Sequence, residues 1–251
     1  MKYKIFIINL DRSTERYQHV LSQLSAWPDL PVERVSAADG RQMTEQQLSR
    51  YYSADLNRHI YYKMLKNAEK GCFISHIRCW QQIIEQQLDF AIILEDDFIL
   101  DGDISSLLDA VAALNPPWYY LKLAAPYKKQ PVLQRVPLQA FELVTYTKNP
   151  IATLAQAVSQ AGARLLLQQL VPFGKPVDVM LQHTWQLGIE AKGIEPFLFR
   201  AEFSFASEIA GKRNEQLNRI LFYKNRIGFL WHNLRHNVRH YGWRKTLRAK
   251  R

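Results

Sequence analysis

The stretch that most constrains the fold is Phe90-Ala91-Ile92-Ile93-Leu94, followed without a break by Glu95-Asp96-Asp97. An unbroken apolar run with two β-branched residues describes a strand covered on both faces, as in parallel sheets layered between helices. Carboxylates at the carboxyl end of such a strand stand where open α/β sheets place their ligands. Adjacent carboxylates repel one another, and a shared cation relieves the repulsion. A hard divalent ion holding a phosphate-bearing substrate fits such a site. An acidic loop that caps the next helix accounts for the same residues, because Asp101, Asp103 and Ser105 follow. On this segment alone both readings stand.

The rest of the chain supplies the frame. Tyr3 to Leu10 reads as a first strand, and Asp11 and Ser13 offer caps for a helix through Trp27 with Tyr17, Val20, Leu21 and Leu24 on one face. Pro28 and Pro31 end that helix, and Val32 to Val35 is a second strand running into Ala37-Ala38-Asp39-Gly40. Thr44 with Gln47 forms a capping box for a helix to about Tyr52. Residues 53–70 show no period and read as a loop. Gly71 to Leu88 is the clearest helix, with Phe73, Ile77, Trp80 and Ile84 in one stripe. A helix over about 103–114 follows the acidic strand, and Tyr119 to Leu123 is another strand. Residues 126–150 read as strands and loops of an insertion, 154–170 as a helix, and Asp178 to Leu187 as the start of another. Strands alternating with helices predict an α/β fold with a mainly parallel sheet.

Charge divides the 251 residues unevenly. The net charge of +10 arises wholly in residues 216–251, which carry ten Lys and Arg and no acidic residue. In that tail Ile227, Leu230, Trp231, Leu234, Val238 and Tyr241 recur at helical spacing among Arg226, Arg235, Arg239 and His240. A helix lying in an anionic membrane interface has this composition, and so does one packed on the body with its charge solvated. No nucleic-acid motif accompanies the basic residues, so no nucleic-acid partner is expected. Residues 1–215 and 216–251 are therefore read as a main domain and a basic helical tail. Cys72 and Cys79 fall two helical turns apart, roughly 10 Å, too far for a disulfide, which suits a reducing compartment. Ile5 to Ile8 is too short for a secretory or membrane-spanning segment, so a cytoplasmic location with peripheral membrane contact is expected.

Several local patterns, in order, resemble glycosyltransferase family 25, the bacterial lipopolysaccharide and lipooligosaccharide transferases. They are Ile7-Ile8-Asn9-Leu10-Asp11-Arg12-Ser13-Thr14-Glu15-Arg16, then Val35 to Gly40, then Glu69-Lys70-Gly71-Cys72-Phe73-Ile74-Ser75-His76 with Trp80. Ile93 to Asp97, Ser159 with Gly162-Ala163 and Leu165-Leu166, Pro176-Val177-Asp178, and a weaker Ser207 follow. The likeness spans roughly residues 3–213. Ala68 stands where the family pattern has glycine, Gln156 where it has an aromatic residue, and 126–150 has no counterpart. The resemblance implies a GT-A-like nucleotide-binding fold and inverting transfer of a hexose, often galactose, from a UDP-sugar donor. It also implies a lipid-linked lipooligosaccharide acceptor at the cytoplasmic face of the inner membrane. UDP-glucose or a UDP-N-acetylhexosamine as donor, and a non-catalytic module that binds nucleotide or glycan, are the rival readings.

Departure of UDP needs its charge neutralised, which Mn²⁺ or Mg²⁺ supplies without proton transfer. Asp97 is the first metal ligand expected, with Glu95 beside it and Asp96 on the ion, the ribose or the donor sugar. Asn9, Arg12 and Arg16 follow the first strand, where a nucleotide crosses the sheet edge, and the arginine fork suits phosphate. Solvated arginines of an amphipathic helix have the same pattern. Asp39 either accepts from ribose hydroxyls or serves the turn before Gly40. Inversion needs a base opposite the leaving group, and Asp178 is the only acidic residue between Glu142 and Glu190. Capping of the following helix is its other role. Cys72, His76 and Cys79 share a helix face that suits zinc, but no fourth ligand is evident and core packing is the simpler reading. His76 is kept as a contact to donor or acceptor.

Overall fold

The computed structural model describes residues 1–203 and 217–249. The chain runs β1 (Tyr3–Asn9), α1 (Thr14–Leu24), β2 (Val32–Ser36), α2 (Glu45–Ser49), α3 (Ala54–Ile60) and α4 (Asn67–Glu85). Next come β3 (Phe90–Glu95), β4 (Phe98–Leu100), α5 (Ile104–Ala112), β5 (Tyr120–Lys122), β6 (Val132–Leu138), β7 (Phe141–Tyr146) and β8 (Ala155–Ser159). The remainder is α6 (Gln160–Leu170), α7 (Val177–Met180), α8 (Thr184–Leu187), β9 (Ala191–Glu195), β10 (Phe199–Ala201), α9 (Arg219–Tyr241) and α10 (Trp243–Arg248).

Eight strands form one sheet in the order β2-β1-β3-β8-β5-β9-β7-β6. Only β7 and β8 run against the rest, so the sheet is α/β and mainly parallel in direction, as the alternation predicted. The β3 run is buried on both faces. Ala91 and Ile93 pack with Phe6 and Ile8 against the α4 and α6 side. Phe90, Ile92 and Leu94 pack with Ile5 and Ile7 against the α1 and α5 side. The same two-residue period turns Glu95 toward α4 and sends Asp96 toward α1. A one-residue slip would exchange the two carboxylates, and the apolar pattern of β3 forbids it.

Two glycines set the entrance. A Cβ on Gly40 would lie 1.8 Å from the Asn67 carbonyl oxygen, and one on Gly71 would lie 2.3 Å from that of Ala38. The loop after β2 therefore rests on the first turn of α4, with Ser75 Oγ accepting from the Ala38 N–H at 2.9 Å and donating to the Gly71 carbonyl. Any side chain at either position would push Asp39 away from the end of the sheet.

Three expectations are corrected. Residues 53–70 are only in part a loop: Ser53 caps α3, α4 begins at Asn67, and in between Asn57 donates to the Gly174 and Lys63 carbonyls. Long-range bonds, which leave no periodic signal, hold that turn. The segment 154–170 is a strand and then a helix, because Ala155–Ser159 inserts antiparallel between β3 and β5 with all of its residues buried. Its Ala and Gln favour helix locally, and the sheet overrides them. The helix expected from Asp178 to Leu187 breaks into α7 and α8. The 126–150 segment is strands and loops as expected, a β6–β7 hairpin that extends the main sheet beside β9.

The tail is helical. Phe222 meets Tyr62 edge-on at 4.9 Å, Phe229 packs on Trp185 at 5.1 Å, and Asn233 and Asn237 donate to the Thr147 carbonyl. Tyr241 of the expected apolar stripe turns inward to Glu190. Ile220, Tyr223, Ile227, Leu230 and Trp231 are exposed on α9. Ser207 lies outside the described residues, as do Lys250 and Arg251.

Candidate functional site

The carboxyl ends of β1, β2 and β3 form the floor of a cleft walled by Arg12 and Arg16, the Ala37–Arg41 loop, and Cys72, Ser75 and His76 of α4. A second cleft of about 350 Å³ is lined by Tyr61, Tyr127, Thr153, Asp178 and Val179. Cys72, Glu95 and Asp97 line both clefts and so form their common wall. The acidic run thus stands between two cavities, and Asp178 lies across the second one.

Each carboxylate has its own company. Glu95 accepts from Thr153 Oγ1 at 2.6 Å and meets His76 Nε2 at 3.2 Å. Gln156 Nε2 lies 2.9 Å from His76 Nδ1. With the amide as donor there, Nδ1 is the acceptor and Nε2 carries the proton given to Glu95. Asp96 accepts from Asn9 Nδ2 at 2.7 Å, and Arg16 reaches both Asp96 Oδ1 and Asp97 Oδ2 at 3.0 Å. Arg12 pairs with Asp39, which also accepts from the Arg41 N–H at 3.2 Å. Asp178 accepts from the N–H groups of Ala152 at 3.2 Å and Val179 at 2.8 Å.

The match to the family model "Glycosyltransferase family 25 (LPS biosynthesis protein)" covers residues 2–181. The chain belongs to glycosyltransferase family 25. Among curated relatives of this family-25 chain, it is 25% identical over 221 residues to a probable inactive glycosyltransferase 25 family member 3 of Bos taurus, covering 78% of this chain and 36% of that protein. It is 27% identical over 187 residues to procollagen galactosyltransferase 2 of Mus musculus, covering 71% of this chain and 29% of that protein. The chain therefore spans about a third of the length of these relatives. A solved glycosyltransferase involved in glycosylation of the major capsid of PBCV-1 aligns with a TM-score of 0.45 and 10% identity, over 82% of this chain and 95% of that one.

Electrostatics separates the three acids of this family-25 site. Burial pushes Glu95 upward, but the bond from His76, the Thr153 hydroxyl and the Lys122 charge outweigh it and hold the carboxyl below its ordinary range. Burial raises Asp96 against the pull of Arg16 and Asn9. Asp97 is pushed up to about 7, by burial first and then by the Glu95 charge, with Arg16 opposing. Its Oδ1 is buried and has no hydrogen-bond partner. An anionic oxygen left so is costly, and a cation is the natural partner for it.

Cys72, His76 and Glu95 bring ligand atoms within 4.8 Å of one another. Burial raises the Cys72 thiol well above its ordinary value, and the neighbouring carboxylates add to this, so the sulfur is held neutral. His76 Nε2 is already engaged with Glu95. The donors left for an ion are the hard oxygens of Glu95 and Asp97, which suit Mn²⁺ or Mg²⁺ rather than zinc. Cys79 is in the core, wholly buried.

The structure brings Arg12, Arg16, Asp39, His76, Glu95, Asp96 and Asp97 to the first cleft, and Asp178 to the second. Asn9 is placed otherwise. It is 1% exposed, donates to Asp96 and the Ser13 carbonyl, and accepts from Arg34, so it braces the site from behind. Asp178 lies in the first turn of α7 and is not its N-cap, which is Pro176. Sequence reasoning missed Lys122 and Thr153 as part of the site. Lys122 is 2% exposed and donates to the Ile151 and Ala152 carbonyls. That fixes Ala152, at φ +72°, so that its N–H meets Asp178 while Thr153 meets Glu95. A lysine inside an otherwise apolar strand is the one signal that could have found it. The odd Gln156 was likewise visible, and its role is to orient His76.

Proposed function

We propose that the chain transfers a hexose, with galactose the first choice, from a UDP-sugar to a hydroxyl of a lipid-linked lipooligosaccharide acceptor, inverting the anomeric carbon. The observation that carries this reading is the shared wall of Glu95 and Asp97 between two clefts, with Asp178 facing it. Asp97 and Glu95 would hold Mn²⁺ or Mg²⁺. When bound, the ion neutralises the diphosphate as it leaves. Arg12 and Arg16 bind the phosphates, and Asp39 accepts from the ribose. His76, set by Gln156, keeps Glu95 anionic and oriented. The acceptor enters the second cleft, and its hydroxyl proton passes to an Asp178 carboxylate oxygen as the new glycosidic bond forms and the bond to UDP breaks. Both Asp178 oxygens already accept backbone bonds, which aim the carboxylate.

A relative with the word inactive in its name makes turnover the quantity to measure. Release of UDP from one sugar nucleotide, with Mn²⁺ and a truncated lipooligosaccharide, is the expected result, and Asp97→Ala should abolish it. If no donor is turned over in a full panel with good acceptors, a binding module is the correct reading.

The same proposal places the protein on the cytoplasmic leaflet. Ile220 is 84%, Ile227 66% and Trp231 62% exposed on α9, a helix of several cations and no acid. Among the described residues no helix is long and apolar enough to cross a membrane. The double variant Ile227→Ser/Trp231→Ser should lose about tenfold in sedimentation with anionic vesicles; equal sedimentation would remove the membrane from the proposal.

A further inference from the structure

A third cavity lies against the acceptor cleft, and α9 builds part of its wall. It shares Tyr61 and Val179 with the cleft that holds Asp178. Lys175 and Lys148 enter it from the body, and Arg226 enters from α9. Its described wall contains three cations and no acidic residue. None of the three forms an ion pair within the described chain.

The contacts they do make are weak ones. Lys148 Nζ lies 5.2 Å from the centre of the Phe229 ring. Lys175 Nζ lies 3.4 Å from His183 Nε2, while His183 Nδ1 donates to the Val179 carbonyl at 2.8 Å. Burial lowers both amines, and the Arg226 charge lowers Lys148 further. Burial and the Lys175 charge push His183 down to about 4, so it is a neutral acceptor for the ammonium. Two half-buried lysines with an exposed arginine at their rim repel one another, and without a carboxylate they are costly to hold together unless an anion joins them. Elsewhere in the described chain cations of this depth have partners: Arg16 has Asp96 and Asp97, Lys63 has Glu69, and the deeper Lys122 is held by the Ile151 and Ala152 carbonyls.

We infer that this groove binds a phosphate group carried by the acceptor, on a sugar next to the one that receives the hexose. The inference rests on the reading of the Asp178 cleft as the acceptor site and adds to it a substrate class, a phosphorylated oligosaccharide. Two amines and a guanidinium match the double charge of a phosphate monoester better than a lone carboxylate. Tyr61 and Tyr62, with ring centres 4.5 Å apart and planes tilted by 50°, form the aromatic wall between the two sites. The tail has a second part here: Asn225 of α9 donates to the Ile60 carbonyl at 2.8 Å and sets the adjacent Arg226 over the groove.

The test is calorimetric titration with hexose 6-phosphate and with the same hexose unphosphorylated, on the full chain with UDP and Mn²⁺ saturating the first cleft. The phosphorylated sugar should bind at least tenfold more tightly. Lys175→Met and Lys148→Met should each bring the ratio of the two affinities toward one. Equal affinities in the native protein overturn the inference, as does a ratio that survives in the double variant. Displacement of hexose 6-phosphate by anionic vesicles, with no preference of the transferase for phosphorylated over plain acceptors, assigns the cations to a lipid headgroup and also overturns it. Absence of transfer with every donor would fall on the proposed reaction, and the affinity ratio would still decide the groove.

Discussion

The proposed donor cleft and the groove beside the proposed acceptor cleft both collect charge, and they treat it in opposite ways. In the donor cleft each acid has a base close by: Arg12 on Asp39, Arg16 on Asp96 and Asp97, His76 on Glu95. In the groove Lys148, Lys175 and Arg226 stand together with no acid on the described wall. A self-paired site binds by exchange: on the proposed reading a diphosphate would draw Arg16 away, and the carboxylates it leaves would be free to hold a metal. An unpaired site binds by addition, with no internal bond to break. Exchange suits a ligand that must leave after each turnover, while addition suits one that only has to be positioned. Binding energy remote from the reacting bond is what positions an acceptor.

Variants on each side of the shared wall can break this division. The largest effect is expected from Asp178→Asn, which should cut transfer by about 10²–10⁴ while UDP affinity stays as it was. Unchanged transfer in single-turnover assays would remove Asp178 as base. Arg16→Met should act on the other side and weaken UDP binding by about 10², the value of two charge-assisted bonds. If it lowers acceptor affinity instead, the clefts are wrongly assigned. Smaller again is Lys175→Glu, which gives the groove an acid and makes it self-paired like the donor cleft. Affinity for hexose 6-phosphate should then fall by about tenfold or more, beyond Lys175→Met, because repulsion is added to loss.

The residues of the exchange site were legible in the sequence, and those of the additive site were not. Arg12, Arg16, Asp39 and Glu95 to Asp97 lie at the ends of consecutive parallel strands, where apolar runs and local turns fix the ligand edge. Gly40 and Gly71 could be read as motif residues, but their close approach to α4 and to Ala38 appears only in three dimensions. Lys148, Lys175 and Arg226 come from a hairpin end, a loop and a distant helix, with no local period joining them. The same is true of Lys122, whose partners are the carbonyls of residues 151 and 152. Alternation gave α/β correctly and misjudged 154–159, because a short strand of small residues has no helix-excluding signal of its own.

The finest test of the exchange picture is the stability of the metal-free protein. Folding raises Asp97 from its ordinary value to about 7, chiefly by burial beside Glu95. A group raised on folding binds its proton more tightly in the native state. Its favourable contribution is therefore complete below the ordinary carboxylate range and is lost as pH climbs through about 7. At pH 8 the folded chain must hold Asp97 as an anion in a poor environment. Asp97→Asn removes that burden, since the amide resembles the protonated acid. A full shift at about 1.4 kcal/mol per pH unit overstates the gain. Solvent reaches the side chain, which is 33% exposed, so about 1–2 kcal/mol is expected after screening. The metal-free variant should accordingly melt a few degrees above the native protein at pH 8, at about 2–4 °C per kcal/mol, and together with it at pH 4. Saturating Mn²⁺ should reverse the order at pH 8, because only the native carboxylate gains a partner. A variant no more stable than the native chain at pH 8, in melts followed by circular dichroism, would show that Arg16 already satisfies Asp97 and that no exchange is needed.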